Sequence, residues 1–209
     1  MMLKERILPD SLVAADVTFE DYLEHHAEQR REWLDGMVVS AMAIEERHDQ
    51  LHSFLRKLLE AYFALNPIAV VRAEPYVMRL PTCGCEPDLM IIMNDNPHPR
   101  TRLYLDGAAD IVIEIVSPGS ERTDLGDKFV EYEAAGVCEY WIVDHVRRRT
   151  YFYRLDDEGH FILHLEDADG VYTTPLLPKF KLHVPTLWHE TLPDYFAIGD
   201  LVKRTWEGE

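Results

Sequence analysis

A chain of 209 residues, 47% of them hydrophobic and 28% charged, has the length and composition of a folded domain with a substantial core. It contains no run of about 18–20 apolar residues, which argues against a membrane-spanning helix. The early apolar stretch is interrupted by Pro9 and Asp10, which argues against a secretory signal. The formal net charge of −17 disfavours, without excluding, a protein that binds nucleic acid through a broadly basic surface.

Cysteine usage also favours an intracellular location. The three cysteines Cys83, Cys85 and Cys138 are few and odd in number, which predicts free thiols in a reducing cytoplasm. The spacing of Cys83-Gly-Cys85 is not that of a zinc knuckle. We therefore expect a cytoplasmic protein without a cysteine metal site.

Any contact with nucleic acid would have to come from short basic groups on this acidic background. A solvated face or turn is the more common role for each such group taken alone. The candidates are Arg30 with Arg31, Arg56 with Lys57, Arg100 with Arg102, and the triplet Arg147, Arg148 and Arg149.

The first third of the chain is predicted to fold as a helix, a hairpin and a second helix. The first helix covers residues 18–30, with Thr18 at its start in a capping-box pattern. Asp35-Gly36 between apolar flanks predicts a tight hairpin. Apolar residues at spacings of three and four make residues 45–65 the clearest helix of the chain.

Strand-like runs follow at residues 69–80, 87–93 and 110–117. The segment between the last two is rich in turn residues and is predicted to be a loop. Because these strands are almost continuously apolar, we expect a sheet that is covered on both faces.

The second half is predicted to contain a helix from Thr123 to Gly136, followed by further strands. These strands are residues 139–144, 149–155 and 160–166, with a hairpin-like segment beginning at Gly170. The alternation of helices and strands predicts one domain over residues 1–209, of α/β or α+β class, around a mixed sheet.

Two carboxylates occupy strands that are otherwise apolar, Asp88 and Glu114. A buried, isolated carboxylate is costly, so such groups are normally paired, hydrogen-bonded or bound to a metal. Taken singly, Asp88 could begin a strand in solvent, and Glu114 could pair with Arg72 or Arg79. If the two strands are neighbours, both carboxylates could converge and form a hard-oxygen site for Mg²⁺. Such an ion can activate water and stabilise an oxyanion during phosphodiester hydrolysis.

The positive charge that this chemistry needs is missing from its expected place. A nuclease strand of this type would carry a lysine two residues after the glutamate, but that position is Val116. The next candidate is Lys128 on the following helix, about 60° from the apolar face, so that its stem can lie along the core. Asp124 lies one turn earlier and could pair with Lys128, and this pairing is also the alternative to a catalytic role, as a surface ion pair that contributes little.

These residues belong to a pattern that resembles the Uma-two family of restriction-endonuclease-like proteins, within the PD-(D/E)XK nuclease superfamily. The resemblance covers about residues 18–185, which we take as the core of the domain. Several separated motifs occur in the order of the family: EWLDG (32–36), His48, EPD (86–88), VIEIVSPGS (112–120), DLGDKFVEYEAAGV (124–137), EYWIVD (139–144) and GVYTTPLLPKFKL (170–182).

The resemblance implies a restriction-endonuclease-like core, a mixed sheet flanked by helices with additional hairpins, and a metal-dependent site at one sheet edge. Asp88 matches the aspartate of the family's PD motif and Glu114 the acid that follows it. Lys128 matches a lysine on the next helix, and Glu32 a glutamate that completes the acidic site. His48 matches a recurrent histidine to which no role is assigned.

The leading hypothesis is a DNA endonuclease that uses Mg²⁺ or Mn²⁺. Asp88 and Glu114 would hold the metal, with the backbone carbonyl near Ile115 as a further ligand. Lys128 would orient the water or offset charge at the phosphate, and Glu32 would assist. A cytoplasmic homodimer with twofold symmetry is expected, with DNA as partner and no membrane association.

Two alternatives stay open from the sequence. The chain could keep the nuclease fold as a catalytically inactive binding or assembly module, which the charge of −17 favours. His48 and His52 could also bind zinc, since they lie one helical turn apart. A solvated or capping pair of histidines is the more common arrangement, and the residues between them are not those of a zinc-protease helix.

Overall fold

The computed structural model describes residues 11–29, 31–40, 45–117 and 126–208. Its helices are α1 (Phe19–His25), α2 (Glu46–Leu65), α3 (Lys128–Ala135) and α4 (Tyr195–Glu207), with short 3-10 turns at Ala27–Gln29 and Val184–Trp188. Its strands are β1 (Leu12–Ala14), β2 (Arg31–Leu34), β3 (Met37–Ser40), β4 (Ala69–Ala73), β5 (Val77–Arg79), β6 (Cys83–Cys85), β7 (Leu89–Met93), β8 (Tyr104–Asp106), β9 (Ile111–Ile115), β10 (Glu139–Asp144), β11 (Arg149–Leu155), β12 (Phe161–His164), β13 (Val171–Tyr172) and β14 (Leu182–His183).

The central sheet has the strand order β12-β11-β10-β9-β7-β4. β9 and β10 run parallel, and their neighbours on either side run antiparallel to them. Every residue of β9 and β10 is buried. The sheet is therefore mixed and covered on both faces, as the continuous apolar runs predicted.

Two apolar clusters cover the two faces of this sheet. On one face, Ile113 and Ile115 of β9 pack with the apolar stripe of α2 and with α4. On the other face, Val112 and Val116 pack with Tyr132 of α3. Burial of each of these side chains contributes roughly 1.5–3 kcal/mol, which holds the helices against the sheet.

A second sheet has the order β1-β3-β2-β6-β5-β8 and is covered by α1. The β2–β3 hairpin turns at Asp35 and Gly36, which both have positive φ, at 45° and 84°. This is the conformation of a type I′ turn, and it confirms the hairpin prediction. The packing of α1 depends on Gly84, because a Cβ atom there would lie 2.7 Å from the ring of Phe19.

The helix predictions hold best where the apolar repeat is long. The helix predicted at residues 45–65 is α2, and Gly136 ends α3 in a left-handed conformation as predicted. The predicted start at Thr123 lies outside the described residues. Thr18 caps α1 by accepting the backbone N–H of Asp21, but the prediction of a helix to residue 30 is wrong, because α1 ends at His25.

The strand predictions need three corrections. The run at 69–80 is split into β4 and β5, which belong to different sheets. The predicted loop before residue 110 contains the short strand β8, and Cys83-Gly-Cys85 forms β6 instead of a turn. These three-residue strands depend on pairing with strands that are distant in sequence, β2 for β6 and β5 for β8, so local pattern does not reveal them.

The prediction of three free thiols is wrong for two of them. Cys83 and Cys85 are joined by a disulfide, and Cys138 is free. The two cysteines are separated by one residue, Gly84, on a strand, so their side chains leave the same face and can meet. Among the described residues, no helix is long and apolar enough to cross a membrane.

A buried polar cluster anchors the chain at the start of β10. Glu139 is 2% exposed and accepts hydrogen bonds from the Trp141 indole N–H at 2.8 Å, from the Tyr172 hydroxyl at 2.9 Å and from the Thr174 hydroxyl. Arg154 Nε lies 3.4 Å from the carboxylate. Because Tyr172 and Thr174 belong to the chain around β13, this carboxylate fastens that segment to the central sheet.

We predict that Glu139→Ala lowers the free energy of unfolding by about 3 kcal/mol, because buried donors lose their acceptor and Arg154 loses its counter-charge. Urea denaturation followed by circular dichroism measures the change. Glu158→Ala is the matched control, an exposed acid whose loss should change stability by no more than about 0.5 kcal/mol. Equal effects of the two substitutions would contradict a structural role for the cluster.

Candidate active site

Asp88 lies directly before β7, with its carboxylate held from two sides. Its Oδ2 accepts the backbone N–H of Ile115 at 2.6 Å and lies 3.1 Å from Nε2 of His48. The side chain is 11% exposed. A carboxylate with two donors on one oxygen has a fixed orientation, which suits a ligand or a catalytic acid better than a strand-start residue in solvent.

Glu114 lies inside β9, and its side chain is 5% exposed. Its Oε1 accepts hydrogen bonds from Nζ of Lys128 at 2.9 Å and from the hydroxyl of Tyr132 at 3.0 Å. β7 and β9 are antiparallel neighbours that pair Leu89 with Ile113, so the next residues in this register are Asp88 and Glu114. The two strand carboxylates thus belong to one end of the β7–β9 ladder.

Lys128 is the first residue of α3, and its ammonium lies between two carboxylates. Besides Glu114 it contacts Oε1 of Glu32, at 3.4 Å, and its side chain is only 14% exposed. Glu32 belongs to β2 of the second sheet, so the lysine links the two sheets through α3. A surface ion pair is therefore the wrong description of Lys128.

The arginine partners considered for Glu114 lie elsewhere. Arg79 is 3.6 Å from Glu20 and 3.8 Å from Asp106, and Arg72 donates to the backbone carbonyl of Val71. Lysine at 128 supplies the cation instead. Asp124, the other partner expected for Lys128, lies outside the described residues.

Val116 shows why the lysine is not on the strand. Its side chain is fully buried in the apolar cluster that includes Tyr132, on the same face of β9 as Glu114. A lysine at this position would have to place its ammonium among apolar side chains, which is costly. The cation reaches the same face from α3, at the margin of the cluster.

Glu86 and Tyr22 belong to this acidic region, and sequence reasoning did not single them out. Glu86 is 6% exposed, and its Oε1 accepts the hydroxyl of Tyr22 at 2.8 Å. Its backbone N–H lies 3.4 Å from Oε1 of Glu32. Burial, and then the neighbouring Glu86, raise the pKa of Tyr22, so the phenol stays protonated as a donor. The sequence did offer one indication of this role, because Glu86 is a second acidic residue only two positions before Asp88.

Tyr132 is a further residue whose role the sequence did not reveal. Its position on the apolar face of α3 predicted a core side chain, and it is fully buried. Burial raises the pKa of Tyr132 well above its ordinary value, and the nearby Glu114 carboxylate raises it further. The hydroxyl therefore keeps its proton and donates to Glu114 throughout the physiological pH range.

The two histidines of α2 both contact Asp88. His48 contacts the carboxylate, and Nε2 of His52 lies 3.0 Å from the main-chain oxygen of Asp88. The zinc hypothesis requires one ring nitrogen of each histidine to bind the same ion. In the structure these two nitrogens instead contact different atoms of Asp88, the carboxylate and the main-chain oxygen. They position Asp88 between α2 and β9.

The donor set at this end of the ladder suits a hard divalent cation. Within the described ranges, no group of three or more His, Cys, Asp or Glu side chains could hold a metal. Mg²⁺ does not require such a group, because it is often bound by one or two carboxylates with water or phosphate oxygens completing its shell. Asp88, Glu114 and the main-chain oxygen of Ile115 would supply oxygen ligands of that kind.

The central sheet is mixed and has helices on both faces, the α/β architecture that the sequence predicted. The chain belongs to the Uma2 family, whose description is "Putative restriction endonuclease" and whose family model matches residues 18–185. This confirms the resemblance drawn from the motifs.

A solved structure supports the same fold. The protein is similar to a "putative nuclease belonging to DUF820" from Anabaena variabilis ATCC 29413, with a TM-score of 0.69 and 17% sequence identity. The match covers 82% of this chain and 97% of that chain. At this identity the similarity shows the fold alone. A comparison with curated proteins finds no match.

We predict that Tyr132→Phe lowers the free energy of unfolding by about 2 kcal/mol, because the buried Glu114 carboxylate loses a hydrogen bond while the packing is kept. Urea denaturation gives the value. Tyr153→Phe is the control, since this half-buried ring packs against Phe129 and its hydroxyl has no hydrogen bond to a described residue. A Tyr132→Phe protein as stable as the control would show that the hydroxyl does not compensate Glu114.

Proposed function

We propose that this protein is a divalent-metal-dependent endonuclease that hydrolyses phosphodiester bonds of DNA. The observation that carries the proposal is the ammonium of Lys128, 2.9 Å from Glu114, at the end of a strand ladder where Asp88 is the next residue in register. Membership of a family whose description is "Putative restriction endonuclease" supports nucleic acid as the substrate.

The two strand carboxylates would hold Mg²⁺ or Mn²⁺ together with the carbonyl of Ile115. When bound, the cation activates water and neutralises charge on the phosphate. Asp88 needs a defined orientation for this task, and the Ile115 N–H and His48 supply it. The hydroxyl of Tyr132 orients Glu114 in the same way, through its hydrogen bond to the carboxylate.

Lys128 supplies a positive charge beside the phosphate, in addition to that of the metal. Water attacks phosphorus in line with the leaving oxygen, so that a P–O bond forms as another breaks and negative charge grows on the phosphoryl oxygens. The attacking water loses a proton to solvent, and the leaving oxygen takes one up, which gives a phosphate and a hydroxyl end. An ammonium held beside the site stabilises this charge, and such groups are worth about 10²–10³ in rate. Glu32 restrains the ammonium from the side of the second sheet.

A catalytically inactive module is the second candidate, and one observation favours it. The net charge of −17 opposes binding of a polyanion. Metal affinity separates the two candidates, because an inactive module has no need to bind a divalent cation at Asp88. Homodimer formation stays a prediction, which light scattering would measure.

We predict that the wild-type protein converts supercoiled plasmid to nicked or linear DNA with Mg²⁺ or Mn²⁺, and that Asp88→Asn and Lys128→Met each slow cleavage at least about 100-fold. Gel electrophoresis of time courses measures the rates. Lys57→Met is the matched control, because this lysine is exposed on α2 away from the site. Wild-type cleavage no faster than that of Asp88→Asn would refute the proposal for this substrate.

We also predict that Mn²⁺ binds the wild-type protein in calorimetry and that Asp88→Asn weakens this binding at least about tenfold, because one of its charged oxygen ligands is lost. Lys128→Met should bind Mn²⁺ as tightly as the wild type or more tightly, since a neighbouring positive charge is removed. Wild-type protein that binds no Mn²⁺ would favour the inactive module.

A further inference from the structure

A polar cleft of about 680 Å³ opens beside the candidate active site. We define it by its three walls: the start of α2 at residues 45–47, the β10–β11 turn at residues 145–148, and the segment 187–190. Its volume is within the range of small-molecule and nucleotide sites. None of the residues assigned to the proposed reaction lines it, so it is a separate feature of the surface.

The cleft begins where the proposed active site ends. Arg47 in its wall directly precedes His48, whose Nε2 contacts Asp88. On the other side, His145 follows β10, whose Val143 is paired with Ile115 of β9. A strand held at Asp88 could therefore continue into the cleft.

The wall formed by residues 187–190 is fixed to α2 by Arg47. One guanidinium nitrogen, Nη2, donates to the carbonyl oxygens of Leu187 and His189, at 2.7 Å in each case. This keeps the half-buried Trp188, which lies between those two residues, at the cleft. The Trp188 indole packs in part against the hydrophobic core, and the part that is still exposed offers an apolar surface on which a base can stack.

Arg148 is the cation best placed to meet a phosphate. Its neighbour Arg147 is committed to Asp144, at 3.0 Å, whereas Arg148 is exposed and forms no ion pair within the described part of the chain. Arg148 also has φ of 52°, a region that Gly and Asn adopt more readily than arginine.

The charge of the cleft decides between two kinds of nucleic acid. Glu45, Glu46 and Glu190 outnumber the two arginines in its lining. Burial lowers the pKa of His145, with Glu45 opposing and His48 adding to the effect, so this imidazole adds no charge at neutral pH. The acidic cleft therefore disfavours the many phosphates of a duplex. It is compatible with a single nucleotide whose base stacks on an indole and whose one phosphate contacts an arginine.

We propose that the polar cleft binds one unpaired nucleotide of the strand held at Asp88, with its base stacked on Trp188 and its phosphate on Arg148. This rests on the proposed function for the position of the strand, and it makes single-stranded segments the preferred substrate class. The shared chemistry is an unpaired nucleotide, of DNA or of RNA. The carboxylates of the cleft can accept hydrogen bonds from base amino groups.

Binding is tested in EDTA, so that no metal-dependent cleavage interferes. A labelled single-stranded oligodeoxynucleotide, the same sequence as a blunt duplex, and a single-stranded RNA of that sequence are titrated with protein and followed by anisotropy. The intrinsic tryptophan emission is recorded with unlabelled strands. We expect single strands to bind at least about tenfold more tightly than the duplex and to quench the emission.

The variants assign this binding to the cleft. Trp188→Phe should abolish the change in emission, although Trp33, Trp141 and Trp206 are still present. Arg148→Asn should weaken binding about three- to tenfold while keeping or raising the unfolding midpoint, since asparagine tolerates the positive φ. The matched control is Arg149→Asn, with the same charge change at an exposed residue outside the cleft, and its affinity should stay within about twofold of wild type.

Salt dependence gives an independent readout. One phosphate contact predicts a slope of about −0.7 for log affinity against log salt, far shallower than a polyphosphate surface would give. Quenching that survives Trp188→Phe, equal losses for Arg148→Asn and Arg149→Asn, or a duplex bound as tightly as both single strands would each overturn the inference. Tight binding of either DNA or RNA single strands supports it, and the comparison shows whether the sugar is recognised.

The two proposals fail separately. Binding in EDTA without any plasmid cleavage would keep the cleft and remove the nuclease proposal. Cleavage of duplex plasmid without single-strand binding would keep the nuclease and remove the cleft.

Discussion

The arrangement of this protein depends on compensating one buried charge. Glu114 lies in a strand whose other residues are apolar and fully covered, so its carboxylate requires donors from outside the strand. Lys128 and Tyr132 supply them from α3, which places that helix on β9 and sets its first turn at the site. Since Lys128 also contacts Glu32, the same compensation joins the second sheet to the central one. An interaction that stabilises the fold therefore also assembles the proposed catalytic groups.

The location of the lysine follows from packing on that face of the sheet. Val116 fills part of the apolar cluster beneath α3, where an ammonium could not be solvated. A helix that begins at the margin of the cluster can present its first side chain to the carboxylate while its later residues, such as Tyr132, remain buried. The cost of desolvating the charge is reduced, and Lys128 keeps partial exposure.

Sequence reasoning reached the features that a single segment encodes. The repeat of α2, the apolar runs of β9 and β10, and the misfit of Asp88 and Glu114 are all local properties, as is the Asp35-Gly36 turn. What it missed depends on partners distant in the chain. Tyr22 and Glu86 are 64 residues apart, and Tyr132 reads as a core residue until Glu114 is placed beside its hydroxyl. Short strands such as β6 and β8 form because neighbours pair with them, which no local pattern records.

The parallel pairing of β9 with β10 has a consequence for how this scaffold can diversify. Parallel neighbours end at the same edge of a sheet, so the turn after β10 borders the site. The hydrogen bonds to Asp88 and Glu114 described above come from α2, α3 and the main chain of β9. The length and composition of residues 145–148 can therefore vary without displacing the acidic groups. Under the proposed function, substrate preference and chemistry would belong to different segments of the chain, and such a separation lets one fold serve many targets.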